Sequence, residues 1–386
     1  MIAYEWRVDF YSGGAWRTLG NIQNINIFRG RRLQIDDYGA DTLSISSRDP
    51  AAWTYTPKLG DQVVAYVYRP GVIVGIDKFP GFIGNIRDVQ INYGKVPNED
   101  QVTIIGEGIQ ADWGRAQLNA FAITQDKTDE QVLDIATQVG LDVAQFGGMS
   151  TASAQTYTGN ALNIVNQLVR TEEARIFAYP YQYNVTWPGD WKLYYRGRGS
   201  NINLNTAWTF NDGTVTATNN DITYDQLEFR SSADNYYNQV TISPEYVAAQ
   251  VATTGTTPVF GWEKTTLDYN TAQALSHAQW VLNNFQTKDS TVAAISFLDV
   301  AQPDTIPPFY IYENGTPLSI ITEGISARTV IGFRNDTFNC VCEGLSISAT
   351  PQNTRITLYL SGQDTNAYLV LDDATYGKLN ENKLGF

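Results

Sequence analysis

Alternation of apolar and polar residues with a period of two is the feature that most restricts the fold of this chain. In the stretch 25–57, Leu43 and Ile45 alternate with Ser44 and Ser46. Side chains of a strand point to opposite faces in turn, so this pattern predicts a strand with one buried face. The same pattern recurs along much of the chain, which favours layered sheets over helix bundles.

Composition supports the same interpretation. The chain has 386 residues, of which 12% are aromatic, and it contains 31 glycines. Aromatic residues suit pleated surfaces and glycine suits tight turns. A chain of this length also exceeds one ordinary domain, so we expect two or three domains.

The predicted fold class is mainly β (α+β), with two β-barrel-like domains and a small helix-containing α+β domain inserted between them. The predicted divisions are an N-terminal barrel at 1–118, the α+β domain at 119–200, a connecting segment at 201–230, a second barrel with one helix at 231–350, and a C-terminal strand with a docking tail at 351–386. The tail is assigned a docking role because its first third is apolar.

Three segments change to a helical period. Thr128 to Gln131 has the sequence of a capping box, and the helix that follows is expected to end at Gly140. A second helix is predicted to begin at Asn160, and a third to span 271–286. These segments account for the α content of the predicted fold.

The charge of the chain restricts its partners. The formal net charge is −14, which disfavours a protein that grips nucleic acid through phosphates but permits one that lets DNA slide past. The negative net charge is equally well explained by solubility alone. The chain has no apolar run of membrane-spanning length and no signal-peptide pattern at Met1 to Arg7, so we expect no membrane segment.

Residues with catalytic or metal-binding chemistry are few. His277 is the only histidine, and it is expected to be a polar residue on the surface of the third helix or partly buried there. Cys340 and Cys342 are two residues apart on one face of a strand, which indicates buried thiols rather than a zinc site or a disulfide. We therefore expect no enzyme activity, no metal and no cofactor.

A basic turn follows the first strand of the stretch 25–57. In an acidic chain, Arg29, Arg31 and Arg32 are better candidates for turn or subunit-contact residues than for a nucleic-acid site. A weak internal echo is also present: the sequence from Val102 to Ile109 is similar to that from Phe338 to Leu345.

Several short motifs occur in an order that resembles a known family. The residues that carry the resemblance are Arg29-Gly30-Arg31, the strand from Asp41 to Ser46, Arg48-Asp49, Tyr55-Thr56-Pro57, Gly81-Phe82-Ile83-Gly84, Asn238 to Ile242, the helix around Trp280, Glu343 to Ile347, and Leu371 to Phe386. Together they resemble the tail hub, or baseplate hub, proteins of long-tailed bacteriophages, which are also called minor tail proteins.

The resemblance implies two related barrels per subunit and a homotrimer that presents six similar units to a sixfold tail tube. It implies a structural role at the distal end of the virion tail, in a protein made in the host bacterial cytoplasm. The implied partners are the protein itself, the distal tail or tail tube protein, the tape measure protein and the tail fibre or spike proteins. DNA would pass through without specific binding.

Three alternatives remain open from the sequence. The first is the hexameric distal-tail ring protein, and the second is a carbohydrate-binding adhesin at the tail tip, which nine tryptophans would suit. The third is a cell-wall hydrolase. Subunit count separates the ring protein from the trimeric hub. Glycan binding tests the adhesin, and a peptidoglycan zymogram tests the hydrolase.

Overall fold

The structure, a computed structural model, describes most of the chain. The described residues are 5–33, 36–48, 50, 53, 55–73, 76–95, 99–146, 148, 150–181, 187, 190–197, 208–213, 221–230, 237–285, 291–298, 310–313, 316–320, 326–332, 336–362, 368–369 and 383–384.

The N-terminal β unit consists of seven strands. They are β1 (Glu5–Ser12), β2 (Ala15–Thr18), β3 (Ile22–Gly30), β4 (Thr42–Arg48), β5 (Gln62–Ile73), β6 (Ile76–Asn92) and β7 (Gln101–Gly108). The hydrogen-bonded order is β3-β4-β7-β6-β5-β1-β2. Leu43 and Ile45 of β4 are buried and Ser46 is exposed, so the strand predicted from alternation is confirmed.

The middle unit combines short strands with three helices. Its elements are α1 (Gln110–Arg115), β8 (Gln117–Ile123), β9 (Asp126–Lys127), α2 (Thr128–Val139), β10 (Val143–Phe146), β11 (Thr151–Ala152), β12 (Gln155–Asn160), α3 (Ala161–Glu172), β13 (Arg175–Tyr181) and β14 (Asp190–Arg196). The buried faces of α2 and α3 share one apolar core.

The predicted start of α3 is confirmed, and the predicted capping box of α2 is wrong. The Asn160 side chain caps α3 by accepting from the Asn163 amide at 3.1 Å. In α2 the helix begins at Thr128, whose hydroxyl donates to Glu172 instead. The Gln131 amide donates to carbonyls outside its helix, so both capping groups have tertiary partners.

The C-terminal part contains a second β unit with an insert. Its elements are β15 (Trp208–Asn211), β16 (Asp221–Thr223), β17 (Gln226–Arg230), β18 (Gln239–Pro244), β19 (Gln250–Thr253), β20 (Gly261–Thr266), α4 (Thr271–Phe285), β21 (Thr291–Leu298), β22 (Tyr310–Glu313), β23 (Thr316–Ile320), β24 (Ser326–Ile331), β25 (Asp336–Ala349), β26 (Thr354–Gly362), β27 (Tyr368–Leu369) and β28 (Lys383–Leu384). The insert is the sheet β19-β18-β20 with α4 packed on it.

Hydrogen bonding between β3 and β25 merges the two β units into one 14-stranded sheet. Their apolar side chains also form one core, which includes Ile27 and Ile347. The predicted mainly β (α+β) class is confirmed. Among the described residues no barrel closes, because the main strand path runs from β16 to β2 without returning.

The C-terminal β unit repeats the strand order of the N-terminal one. Its path is β17-β21-β26-β25-β24-β15-β16, which follows the same succession of chain positions as β3-β4-β7-β6-β5-β1-β2. In this repeat β6 corresponds to β25, and β7 corresponds to β26. The sequence echo between Val102–Ile109 and Phe338–Leu345 joins β7 to β25, so it pairs strands that are not equivalent.

The helix predicted at 271–286 is confirmed as α4, within one residue at its end. Cys340 and Cys342 are free and buried in the common core, as predicted. The predicted domain boundaries stay predictions, and most of the predicted docking tail lies outside the described residues. Within the part of the chain that the structure describes, no helix is long and apolar enough to cross a membrane.

Candidate functional site

Buried charges concentrate where β3 and β25 meet. We call Arg29, Arg31, Asp41, Arg175, Glu343 and Ser361 the seam cluster. Arg29 and Arg31 extend from β3 and from the turn after it, and Glu343 lies in β25. Both arginines are buried, with exposed fractions of 0% and 5%. The basic turn predicted as a subunit contact is therefore folded into its own chain at these two positions.

Arg29 links three parts of the fold. Its guanidinium donates to the carbonyl oxygens of Gly81 at 3.3 Å and Ala178 at 2.8 Å. Its Nε lies 3.8 Å from an Asp41 carboxylate oxygen. These partners belong to β6, to β13 of the middle unit and to the segment before β4, so one side chain holds the middle unit against the N-terminal sheet.

Glu343 is the centre of the seam cluster. Arg31 donates to Glu343 Oε2 at 2.9 Å, Arg175 donates to Oε1 at 2.8 Å, and the Ser361 hydroxyl donates to Oε1 at 2.6 Å. Burial would raise the pKa of Glu343, but the two arginines and the hydroxyl outweigh burial and lower the pKa to about 2. Glu343 therefore stays ionised and joins all three units.

The position of Glu343 depends on an irregularity of β25. The register between β25 and β26 shifts between Cys342 and Gly344, so Glu343 is the extra residue of a β-bulge. A bulge re-aims the side chain of its extra residue. This one places the carboxylate beside Arg31, Arg175 and the Ser361 hydroxyl.

A second buried group, the histidine cluster, connects the middle unit to the insert. It consists of Glu173, Lys264, Asp268, Gln273 and His277. His277 Nε2 lies 3.0 Å from Glu173, and Nδ1 lies 3.3 Å from Asp268. Lys264 donates to Glu173 at 2.7 Å, and Gln273 donates to Asp268 at 2.6 Å.

The two carboxylates set the charge of the histidine. Burial by itself would lower the pKa of His277, but the hydrogen bonds and charges of Asp268 and Glu173 raise it above its ordinary value. Burial would raise the pKa of Glu173, and Lys264 and His277 instead hold it well below its usual range. The protonated cluster is thus neutral: two carboxylates face one lysine and one imidazolium.

Sequence reasoning assigned His277 to α4 correctly but expected a surface or partly buried residue. It is 1% exposed. The partners come from the end of α3, from β20 and from the segment before α4, and nothing local in the sequence brings them together. The alternation of β20 and the apolar stripe of α4 could at most have indicated that both elements pack inward.

The third predicted contact residue, Arg32, lies on the opposite face of the sheet. It is exposed, and its guanidinium lies 5.6 Å from the ring centroids of both Phe28 and Tyr359. These side chains border a shallow open groove of about 500 Å³ across β25, β3 and β4. The other polar side chains that line it are Asn26, Thr42, Ser44, Ser346 and Ser348.

The two clusters connect separate units of the fold. In the described residues, no group of three or more His, Cys, Asp and Glu side chains is placed to hold a metal ion. The seam cluster and the histidine cluster join elements that are distant in sequence, and their carboxylates are buried. Buried charge pairs of this kind add little net stability, but removal of one partner is strongly destabilising.

Comparison with solved structures identifies the architecture. A tail protein from Neisseria meningitidis MC58 superposes with a TM-score of 0.62 and 10% identity, over 93% of this chain and 97% of that one. The 43 kDa tail protein of prophage MuSo2 from Shewanella oneidensis superposes with a TM-score of 0.59 and 11% identity, over 92% and 98% of the two chains. This chain has the fold of these two tail proteins.

A third neighbour extends the same similarity. It is a component of the E. coli type VI secretion system with structural similarity to the T4 bacteriophage tail proteins gp27 and gp5. The TM-score is 0.50 at 8% identity, over 89% of this chain and 74% of that one. No protein-family model and no curated protein matches the chain by sequence. The tail-protein fold is thus recognised through structure.

Proposed function

We propose that this chain is a structural subunit at the distal end of a bacteriophage tail, where three copies form a ring that caps the tail tube. The ring would adapt the sixfold tube to threefold symmetry, anchor the tape measure protein above and the fibres or spike below, and let DNA leave. The observation that carries the proposal is the likeness to two tail proteins over nearly the whole of each chain.

The repeated strand order supports the symmetry part of the proposal. Each copy contains two β units with the same order, joined edge to edge by β3 and β25. Three copies would therefore supply six similar units around an axis, which matches the sixfold tube. Because the Arg31–Glu343 pair and the β3–β25 ladder fix the two units against each other, the angle between them is set before assembly.

In this proposal, Arg32 is the residue of the basic turn that contacts a neighbouring subunit. Arg29 and Arg31 are held by their own chain, whereas Arg32 is accessible in the groove. The negative net charge suits a ring through which phosphates pass without being retained. The proposed role is structural and not catalytic, so a peptidoglycan zymogram should show no clearing by the purified protein.

Mass and location test the proposal together. Light scattering during size-exclusion chromatography should give three times 42.9 kDa, and gold-labelled antibody should mark the end of the tail opposite the capsid. Six copies per particle would support the distal-tail ring protein instead. A stable monomer that is missing from tail particles would contradict both structural roles.

A further inference from the structure

Two strand edges have no partner within the described part of the chain, and they correspond to the two edges that pair inside the chain. In the strand repeat, β6 is the equivalent of β25, and β17 is the equivalent of β3. Strands β25 and β3 pair with each other along 344–349 and 25–30. In the described structure, the end of β6 pairs with β7 alone, and β17 pairs with β21 alone.

A bulge fixes the alignment of β6 with β25 residue by residue. The register of β6 on β7 shifts between Ile86 and Asp88. The register of β25 on β26 shifts between Cys342 and Gly344. Asp88 therefore corresponds to Gly344, and three residues further on Ile91 corresponds to Ile347.

The neighbouring strands align β17 with β3. In the N-terminal unit, Ser44 of β4 lies between Asn26 and Ile105. In the C-terminal unit, Ala294 of β21 lies between Glu228 and Tyr359. Glu228 thus corresponds to Asn26. The register shift that follows is a bulge in β21, whose extra residue is Ala293. Because β17 itself continues without an extra residue, Phe229 corresponds to Ile27.

Exposure distinguishes the paired edges from the unpaired ones. Inside the chain Ile347 lies opposite Ile27, and both side chains are 2% exposed. Their equivalents Ile91 and Phe229 are 36% and 38% exposed. Large apolar side chains on an open strand edge are a site for pairing with another chain.

We propose that the end of β6 in one copy pairs antiparallel with β17 of a second copy and so repeats the internal β3–β25 seam between subunits. Ile91 would then lie opposite Phe229 of the second copy, and Asn92 opposite its Glu228. The occupant of each edge is a second copy because only an edge of this chain carries the equivalent residues in the equivalent register. Closure of these contacts into a ring of three rests on the proposed function.

The contact is head-to-tail, since each copy offers one edge of each kind. Within a copy the continuous sheet runs β17-β21-β26-β25-β3-β4-β7-β6. Addition of the next β17 after β6 would extend that sheet without a break. Tyr93, which is 80% exposed just after β6, would lie opposite Leu227 of the next copy and be covered by it.

Cysteine cross-linking tests the register. N92C and E228C single variants of the full chain are mixed, then oxidised or treated with a short bismaleimide. The expected product is a covalent dimer that neither variant forms alone. The matched control is N92C with Q226C, which is displaced by about 7 Å along the strand and should cross-link far less. Cys340 and Cys342 are buried and do not compete.

Subunit mass tests the apolar contact. I91D and F229D place a carboxylate on each edge. Each is expected to shift the chain from oligomer to monomer. The monomer should still show a thermal unfolding transition, so that the loss of the oligomer is not caused by a loss of folding. L275D, which alters an exposed leucine of α4, should leave the oligomer intact.

The outcomes separate this proposal from the proposed function. If the wild type is a trimer and both edge variants remain trimers, the seam between subunits is wrong and the trimeric ring stands. If the edge variants dissociate a hexamer, the seam stands and the trimer is wrong. A wild-type monomer that gives no N92C–E228C product at high concentration overturns both.

Discussion

Arg31 and Glu343 are 312 residues apart in sequence, and their side chains meet at 2.9 Å. The Arg31 backbone amide also donates to the Glu343 carbonyl at 3.0 Å. The pair therefore joins the end of the N-terminal sheet to the bulge of the C-terminal one through both backbone and side chain. Arg175 adds the middle unit on the other carboxylate oxygen.

Replacement of Glu343 by alanine should cost about 3–5 kcal/mol in the free energy of unfolding, because Arg31 would remain as a buried cation without its partner. Urea denaturation followed by tryptophan fluorescence measures this. The control is Glu5→Ala, which breaks an exposed pair with Arg7 and should cost about 0.2–1 kcal/mol. Equal losses in the two variants would show that the seam cluster is not holding the units together.

Because of the histidine cluster, the free energy of unfolding should fall as the pH rises above neutrality. The pKa of His277 is raised by folding, so its contribution is fully present below about pH 6.5 and is lost as pH rises through the folded pKa. His277 is the only histidine, so no other imidazole adds to this slope. Unfolding free energies between about pH 6 and about pH 9 should fall in the wild type and stay flatter in His277→Gln.

The carboxylates of the same cluster act in the acid range. Folding lowers the pKa of Glu173 and of Asp268, so their contribution is present above about pH 4.5 and is lost as pH falls through the folded values. In His277→Gln, this loss of stability at acid pH should remain but be smaller. A variant that lost the acid dependence but kept the alkaline one would contradict the assignment of partners.

Local patterns predicted strand β4 and the helices α2, α3 and α4 correctly, including the end of α2 at Gly140, for identifiable reasons. Alternation in β4 depends only on which face is buried, and the Asn160 cap depends on a residue three positions away. The failures involve partners far along the chain. The sequence predicts Thr128 as a capping residue. In the structure its hydroxyl donates to Glu172, which is 44 residues away.

The candidate site could not be predicted from local patterns either, because its partners also lie far apart in the chain. Arg29 and Arg31 lie in a basic turn, and such turns in acidic chains are normally solvated or bound to another chain. Arg31 is buried against Glu343 of β25, a contact across more than 300 residues. Arg29 is buried against Ala178 of β13 and Asp41, which are also outside its local sequence. Neither alternation nor composition specifies which strand covers which edge.

Gly344 should be intolerant of a side chain. A Cβ atom at this position would lie 2.4 Å from the Arg31 carbonyl oxygen and 2.6 Å from that of Arg29, and backbone atoms cannot move aside cheaply. We expect Gly344→Ala to cost about 3 kcal/mol, the upper end for overpacking. Gly261→Ala in β20, where a Cβ meets nothing within 4 Å, is the matched control and should be close to neutral. Thermal melts of the two variants would distinguish a steric requirement from a general effect of losing a strand glycine.

Asn238 should fix the conformation of the loop 254–260 in the insert. Its amide nitrogen donates to the Thr256 and Pro258 carbonyls, and its amide oxygen accepts from the Phe260 amide at 2.7 Å. Asn238→Ala removes all of these bonds at a buried position, so we expect a loss of about 1–3 kcal/mol and faster exchange of the loop amides. Hydrogen exchange measured by mass spectrometry should show the increase in peptides that cover the loop and no change in peptides of β25. Asn283→Ala on α4, whose side chain accepts from the exposed Gln279, serves as the control. If the loop exchanged equally fast in Asn238→Ala and in the wild type, its order would have to come from the strand ends of β19 and β20 and not from Asn238.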